Sequence, residues 1–288
     1  MDEFFSNTIS DKTKSLYRRN LVKLNGDKVF KNLKFLAKTK DILAKLEAMN
    51  PNTRRTNLIS IVHATKHVGD KKLFDFYTPL MMKLNKDLMD NTKKSDKQEE
   101  NWMSQDDVLE VQKHLLKVLP KSFAKTMDYE KLLDLMILSL YTLTLPRRNL
   151  DYLNMLVTKP PPTGDEPDKH NYMWEGKFYF NNYKTAKTYK QQIEDIPDEL
   201  QKVIDMYMAE HPDVPEFLVR ANGSPLKTSN DITRRLNKIF GRNISSSMLR
   251  NIYLTSKYSK TMNEMKDDVK AMGTSLQTAE HNYIKNAE

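Results

Sequence analysis

The stretch Tyr129–Thr144, YEKLLDLMILSLYTLT, constrains the fold more than any other part of the chain. Apolar residues occupy its whole circumference, and a helix of that kind belongs inside a core. It stops at Leu145-Pro146, because proline removes a backbone donor and turns the residue before it away from helical geometry. The next residues are Arg147-Arg148-Asn149-Leu150-Asp151-Tyr152-Leu153, so two guanidiniums stand where the chain leaves the core. Asp151 is three residues after Arg148 and is placed to brace it across a helical turn. The plainer reading of this piece is a surface helix start with an ordinary salt bridge.

The rest of the composition agrees with a helical chain. Only 7 of 288 residues are Gly and 12 are Pro, and long stretches are rich in Leu, Lys and Met. With no Cys at all, disulfides, thiolate catalysis and cysteine-ligated zinc are excluded. No apolar run is long enough for a bilayer, and Met1 is followed by acidic residues rather than a signal peptide. The expectation is an intracellular protein without a membrane partner. The formal charge is +9, and it is uneven: residues 1–100 hold 21 basic and 13 acidic side chains, residues 101–288 hold 26 and 25. Clustered basicity of this kind marks a polyanion partner, most often nucleic acid. The alternative is a lysine-rich solubilising surface.

Residues 10–24 read as a basic helix capped by Ser10 or Asp11, with Gly26 beyond its end. KTKDILAKLEAM makes a second helix with Ile42, Leu43, Leu46 and Met49 on one face. Asn50-Pro51 opens a third, and a fourth runs from about Asp70 to Asn91. This is a helical domain over residues 1–92. His63 and His67 stand four apart, but no third ligand accompanies them, and they read as ordinary helix histidines. Residues 91–101 are wholly polar and charged and read as a linker between domains, bounded at 93–104, or as a frayed helix end. Residues 105–288 form a second domain, opened by a capping box at Ser104–Asp107. After the buried helix, Tyr172–Phe180 reads as a hairpin around Glu175-Gly176, and QQIEDIP as a further strand, which together make a small antiparallel sheet. The turn between them holds Lys184, Lys187 and Lys190. Two more helices and a short strand, EFLV, precede the end of the chain. There a serine-rich turn leads into a helix with Arg250, a second amphipathic helix follows, and a short last helix after Met272-Gly273 presents Tyr283. No Gly-rich phosphate loop or GxSxG elbow occurs.

In chain order these are an Arg at the end of a buried helix, a Lys on a hairpin, a mid-helix Arg and a near-terminal Tyr. The series resembles the tyrosine recombinase (phage integrase) superfamily. LPRRNLDYL is similar to that family's first arginine motif, with Arg148 on the Arg and Asp151 on the Glu, and Arg147 as a one-residue alternative. YKTAKTYK offers Lys184, then Lys187, for the family lysine. Ser247-Met-Leu-Arg250 stands where the family has His-x-Leu-Arg. Met272-Gly273-Thr274 stands for Leu-Gly-His, nine residues ahead of Tyr283. The wording of these motifs looks most like integrases of large DNA viruses or their mobile elements. The resemblance implies a mainly α protein in which a helical core-binding domain and an α+β catalytic domain close around duplex DNA. It implies catalytic roles for Arg148, Lys184, Ser247, Arg250, Thr274 and Tyr283. It also implies a 3′-phosphotyrosine intermediate, no metal or other cofactor, and a homo-tetramer on DNA in the host cytoplasm or nucleus. DNA phosphates would be met by Lys14, Arg18, Arg19, Arg54, Arg55, Lys187, Arg234 and Arg235.

Two departures bear on this reading. Both family histidine positions carry hydroxyls, Ser247 and Thr274, which hydrogen-bond a phosphate but do not take a proton near neutral pH as imidazole does. His281 lies near Tyr283 in sequence but two residues away on a helix, which points it elsewhere. Five residues follow Tyr283, so the C-terminal tail with which many relatives dock on a neighbour is expected to be missing. Other functional classes remain open: a DNA-binding or architectural protein on the same scaffold, a relaxing enzyme like the related type IB topoisomerases, and a helical scaffold without nucleic acid.

Overall fold

The computed structural model describes residues 2–91, 93–123, 125–157 and 169–285. The chain divides into two compact units, Met1–Lys94 and Ser95–Glu288. The first contains four α-helices among its described residues: α1 (Asp11–Leu24), α2 (Thr39–Glu47), α3 (Pro51–His67) and α4 (Lys71–Asp90). Their starts follow from local chemistry. Ser10, Asn50 and Asp70 each accept a hydrogen bond from a backbone N–H in the first turn, which satisfies a donor that has no partner within the helix. Leu21, Leu36, Leu46, Ile61 and Tyr77 form the centre of this unit's core. The Tyr77 hydroxyl donates to the Leu36 carbonyl at 2.8 Å, and burial pushes its phenol up to about 12.

The second unit begins with α5 (Asp96–Asn101), α6 (Gln105–Lys117), α7 (Thr126–Thr142) and α8 (Asn149–Leu153). Then come β1 (Met155–Val157), β2 (Asn171–Trp174), β3 (Lys177–Phe180), α9 (Ala186–Tyr189) and β4 (Gln192–Asp195). The remaining helices are α10 (Asp198–Met208), α11 (Ser229–Phe240), α12 (Ser246–Ala271) and α13 (Leu276–Thr278), with a π-helical turn at Ala279–Tyr283. Every residue of α7 from Leu132 to Tyr141 is buried, and α6, α10 and α11 pack around it. The protein is thus mainly α with a small sheet. At the β2–β3 turn Glu175 and Gly176 both have positive φ, 46° and 69°, the combination that two-residue hairpins select.

The structure departs from the sequence expectations in three places. The sheet is mixed, in the order β1-β2-β3-β4, because β1 pairs in parallel with β2 while the other pairs are antiparallel. Three residues are too few to show an alternating pattern, so β1 left no mark in the sequence, and EFLV makes only an isolated bridge to it at Glu216. Within the stretch read as a linker, Ser95 forms a capping box that starts α5. The helix is then tied to the second unit by buried Asn101, whose Oδ1 accepts from the Asn243 N–H at 2.9 Å. The two helices expected after the serine-rich turn are one. Between Ser246 and Ala271 there is no Gly or Pro to stop α12, which runs 26 residues. It ends only at Gly273, whose φ of 69° closes a left-handed cap, with the Thr274 N–H donating to the Val269 carbonyl at 2.9 Å.

Candidate functional site

Three elements of the second unit meet at the end of α7. There the buried Tyr141 hydroxyl donates to Asn149 Oδ1 at 2.8 Å, and the Asn149 amide donates to the Ser229 carbonyl and the Thr233 hydroxyl. Burial holds the Tyr141 phenol well above its ordinary range, with Tyr152 and Asp151 adding to the effect, while Ser246 and Arg250 at the start of α12 pull it back. The first turns of α12 therefore lie beside the α7–α8 junction.

Arg147, not Arg148, is the braced arginine. Its Nε donates to Asp151 at 3.2 Å, and its Nη1 donates to Gln192 at 2.9 Å and to Glu194 at 2.6 Å. Its guanidinium carbon lies 3.7 Å from the centre of the Phe180 ring, a cation–π stack. Burial pushes the Asp151 carboxyl up, and Arg147 only partly offsets this. Arg148 instead occupies the N-cap of α8 with extended backbone angles, φ −81° and ψ 150°. Its guanidinium makes no ion pair with Asp151, although its charge helps to hold that carboxyl down. Arg148 and Arg250 are both half-buried, and neither guanidinium has an ion pair or hydrogen bond among the described residues.

The β3–β4 connection brings Lys184 toward the same edge. Asn171, fully buried in β2, accepts from the Asn181 and Asn182 N–H groups and donates to the carbonyls of Asp151 and Asn182. This one amide ties the lysine loop to α8. The sequence reading missed it, and the signal available was an Asn at the edge of an aromatic hairpin. Lys184 and Lys187 are exposed on this loop, which contains the short α9 rather than a bare turn. Ser247 is exposed on the first turn of α12. It opens onto a polar groove of about 290 Å³ that Lys97, Thr233, Asn237, Asn243 and Asn251 also line. A concavity of about 720 Å³ between the β2–β3 turn and α10 contains none of these residues.

Tyr283 and Thr274 are not brought to this place. A helix rises about 1.5 Å per residue, so α12 carries the chain about 30 Å from Arg250 before the turn that precedes Thr274. Tyr283 is 61% exposed in the last turn, and its hydroxyl has no hydrogen-bond partner among the described residues.

The basic residues divide into two groups. Arg54 donates to the carbonyls of Leu46 and Glu47 and so caps α2. Arg235 donates to Asp134 and Glu130 beside α7. Both serve the fold, because their donors are already engaged in the interior. Arg55 donates to Asn85, and Lys14 to Asn7. Arg18 is half-buried, while Arg19 and Arg234 are exposed. His63 packs against the rings of Phe5 and Tyr17. The described residues contain no cluster of three groups able to hold a metal, and no helix among them is long and apolar enough to cross a membrane. No protein-family model matches the chain, and no curated protein is significantly similar to it.

Proposed function

We propose that the protein is a site-specific DNA recombinase or integrase that cleaves and rejoins DNA through Tyr283. The observation that carries this reading is the pair of half-buried, unpaired guanidiniums, Arg148 and Arg250, on adjacent elements beside the buried Tyr141–Asn149 pair. A half-buried guanidinium that makes no hydrogen bond keeps its donors for a ligand, and two of them near one buried pair fit an anion with two oxygens to offer. Arginine supplies planar donor forks matched to a phosphodiester. The open, shallow surroundings suit a polymer lying on a surface rather than a small molecule in a cavity.

In this reading the Tyr283 oxygen attacks phosphorus and its proton passes to solvent. The bond to the 5′ oxygen breaks, and that oxygen leaves as a hydroxyl with a proton from the Lys184 ammonium. Arg148 and Arg250 stabilise the extra negative charge of the pentavalent state. Ser247, one turn before Arg250, hydrogen-bonds a phosphate oxygen. The DNA remains attached as a 3′-phosphotyrosine, so rejoining needs no external energy source. The excess basic charge of residues 1–100 supplies contacts to the backbone of the duplex.

Incubation with a nicked suicide duplex carrying the element's own end sequence tests the reading. A covalent adduct on a denaturing gel is expected, lost in Tyr283→Phe while duplex binding stays near wild type. Tight, salt-sensitive binding without an adduct in the wild-type protein would instead favour an architectural DNA-binding protein, a reading that the hydroxyls at positions 247 and 274 already motivate.

A further inference from the structure

The concavity between the β2–β3 turn and α10 shares no lining residue with the candidate site and differs from it in character. The sheet contributes Met173 and half-buried Trp174, and the loop after α10 adds Val214 and Pro215. Gln201, Ile204, Asp205 and Met208 are spaced three and four apart, so they share one face of α10 and line the space together. The rim is acidic. Glu175 on the turn, Asp205 on α10 and Asp213 on the loop are exposed, and none of them has an ion pair among the described residues. No Lys, Arg or His is among the described residues that line it. The surplus of acid extends past the rim: residues 194–216 carry eight acidic side chains and one Lys, in a chain of net charge +9. Such a face repels phosphates and attracts cations.

We infer that this acidic groove is the docking site for a basic segment of another protein, one that sets apolar side chains against Trp174 and Met208 and lysine or arginine against the rim carboxylates. Acidic residues alone would only keep a surface hydrated. Here they surround an apolar floor, and apolar contact at the centre with charge at the edge is the anatomy of a protein interface. Trp174 offers a large rigid surface and a ring face for a cation. The thioethers of Met173 and Met208 adapt to side chains of different shape. The rim charges select the sign of the partner and steer its approach. Two occupants from the chain itself fit less well. Residues 158–168, which follow Val157 at the groove, hold three acids and one Lys, so the rim opposes them. A second copy set groove to groove brings acid against acid, and set otherwise it makes a head-to-tail contact that builds rings or filaments. The inference stands apart from the recombinase reading, because neither the groove nor its test involves Tyr283 or the arginines.

A library of random peptides displayed on phage, panned on the full-length protein, tests this. The chain is basic overall, so unselective attraction enriches acidic peptides. The inference expects a further class that combines Leu, Ile, Met or aromatic residues with Lys and Arg. Asp205→Lys with Asp213→Lys should weaken synthetic peptides of that class roughly tenfold or more and leave the acidic class bound. The milder Asp205→Asn with Asp213→Asn should give a smaller loss in the same direction, which separates lost charge from misfolding. Trp174 reports the contact directly. The chain has two tryptophans, so Trp102→Phe leaves Trp174 as the only one, and its emission should shift to the blue as a basic peptide covers it. Absence of a basic class on the wild-type protein overturns the inference, whether the groove is then filled by the chain's own residues 158–168 or by nothing. A basic class that binds the charge-reversed variant equally well, or leaves the Trp174 emission unchanged, overturns it too. So does self-association of the wild-type protein that Asp205→Lys with Asp213→Lys abolishes, because the groove then takes a second copy.

Discussion

The α7–α8 edge and the outer part of α12 carry the same kinds of residue under opposite conditions. Around Arg147 the polar groups hold one another: Asp151, Gln192 and Glu194 share one guanidinium, which also covers Phe180. Along α12 past Ile252 most side chains face solvent, and the end bearing Tyr283 touches little but its own helix. The first region is preorganised at the expense of desolvated charge, and its geometry is complete in one chain. The second has a regular backbone, and among the described residues most of its side chains past Ile252 are exposed. Adjacent arginines make the same contrast in miniature, since Arg147 is committed to the fold and Arg148 is left available.

The largest effect should come from breaking the preorganised side. Arg147→Ala leaves the Asp151 and Glu194 carboxylates unpaired, and about 3–5 kcal/mol of stability should be lost, read as a lower urea midpoint. Arg148→Ala, one residue on, should change stability by less than about 0.5 kcal/mol yet slow adduct formation roughly 10²- to 10³-fold, measured by single-turnover cleavage. If the two variants behave alike, the division between them is wrong. Ser247→His should work in the other direction. An imidazole there supplies general-base help, raising cleavage by roughly 10²-fold, with a pH dependence centred near the ordinary histidine value of about 6.5.

The smallest effect concerns the first unit. Burial against Phe5 and Tyr17, and then the positive charges of His67 and Lys66, lower the His63 pKa. The folded state therefore favours the neutral ring. Its contribution is fully present above the unfolded value of about 6.5 and is lost as pH falls below it. The thermal midpoint of that unit should drop between pH 7.5 and pH 5.5, and His63→Gln should flatten the drop.

Features set by neighbours in sequence were legible before the structure. Ser10, Asn50-Pro51 and Ser104 announce helix starts, Glu175-Gly176 announces a hairpin, and the apolar run of α7 announces the core. What depended on distant partners was not. Arg147 is chosen over Arg148 by Gln192 and Glu194, which lie 45 and 47 positions further on. β1 exists because Asn171–Met173 pairs beside it, and three residues cannot show that by themselves. The order of Arg148, Lys184, Arg250 and Tyr283 could be read along the chain. The separation of Tyr283 from the others could not, because two helices were expected where a single one runs from Ser246 to Ala271.

The unbroken α12 also has a kinetic consequence. A phenol borne on a stiff rod is not returned to its own arginines by side-chain rotation or loop movement. If the proposed function holds, a molecule bound to a duplex should then cut slowly however tightly it binds, because α12 must first bend. Strand breakage should then lag behind occupancy for as long as α12 stays straight.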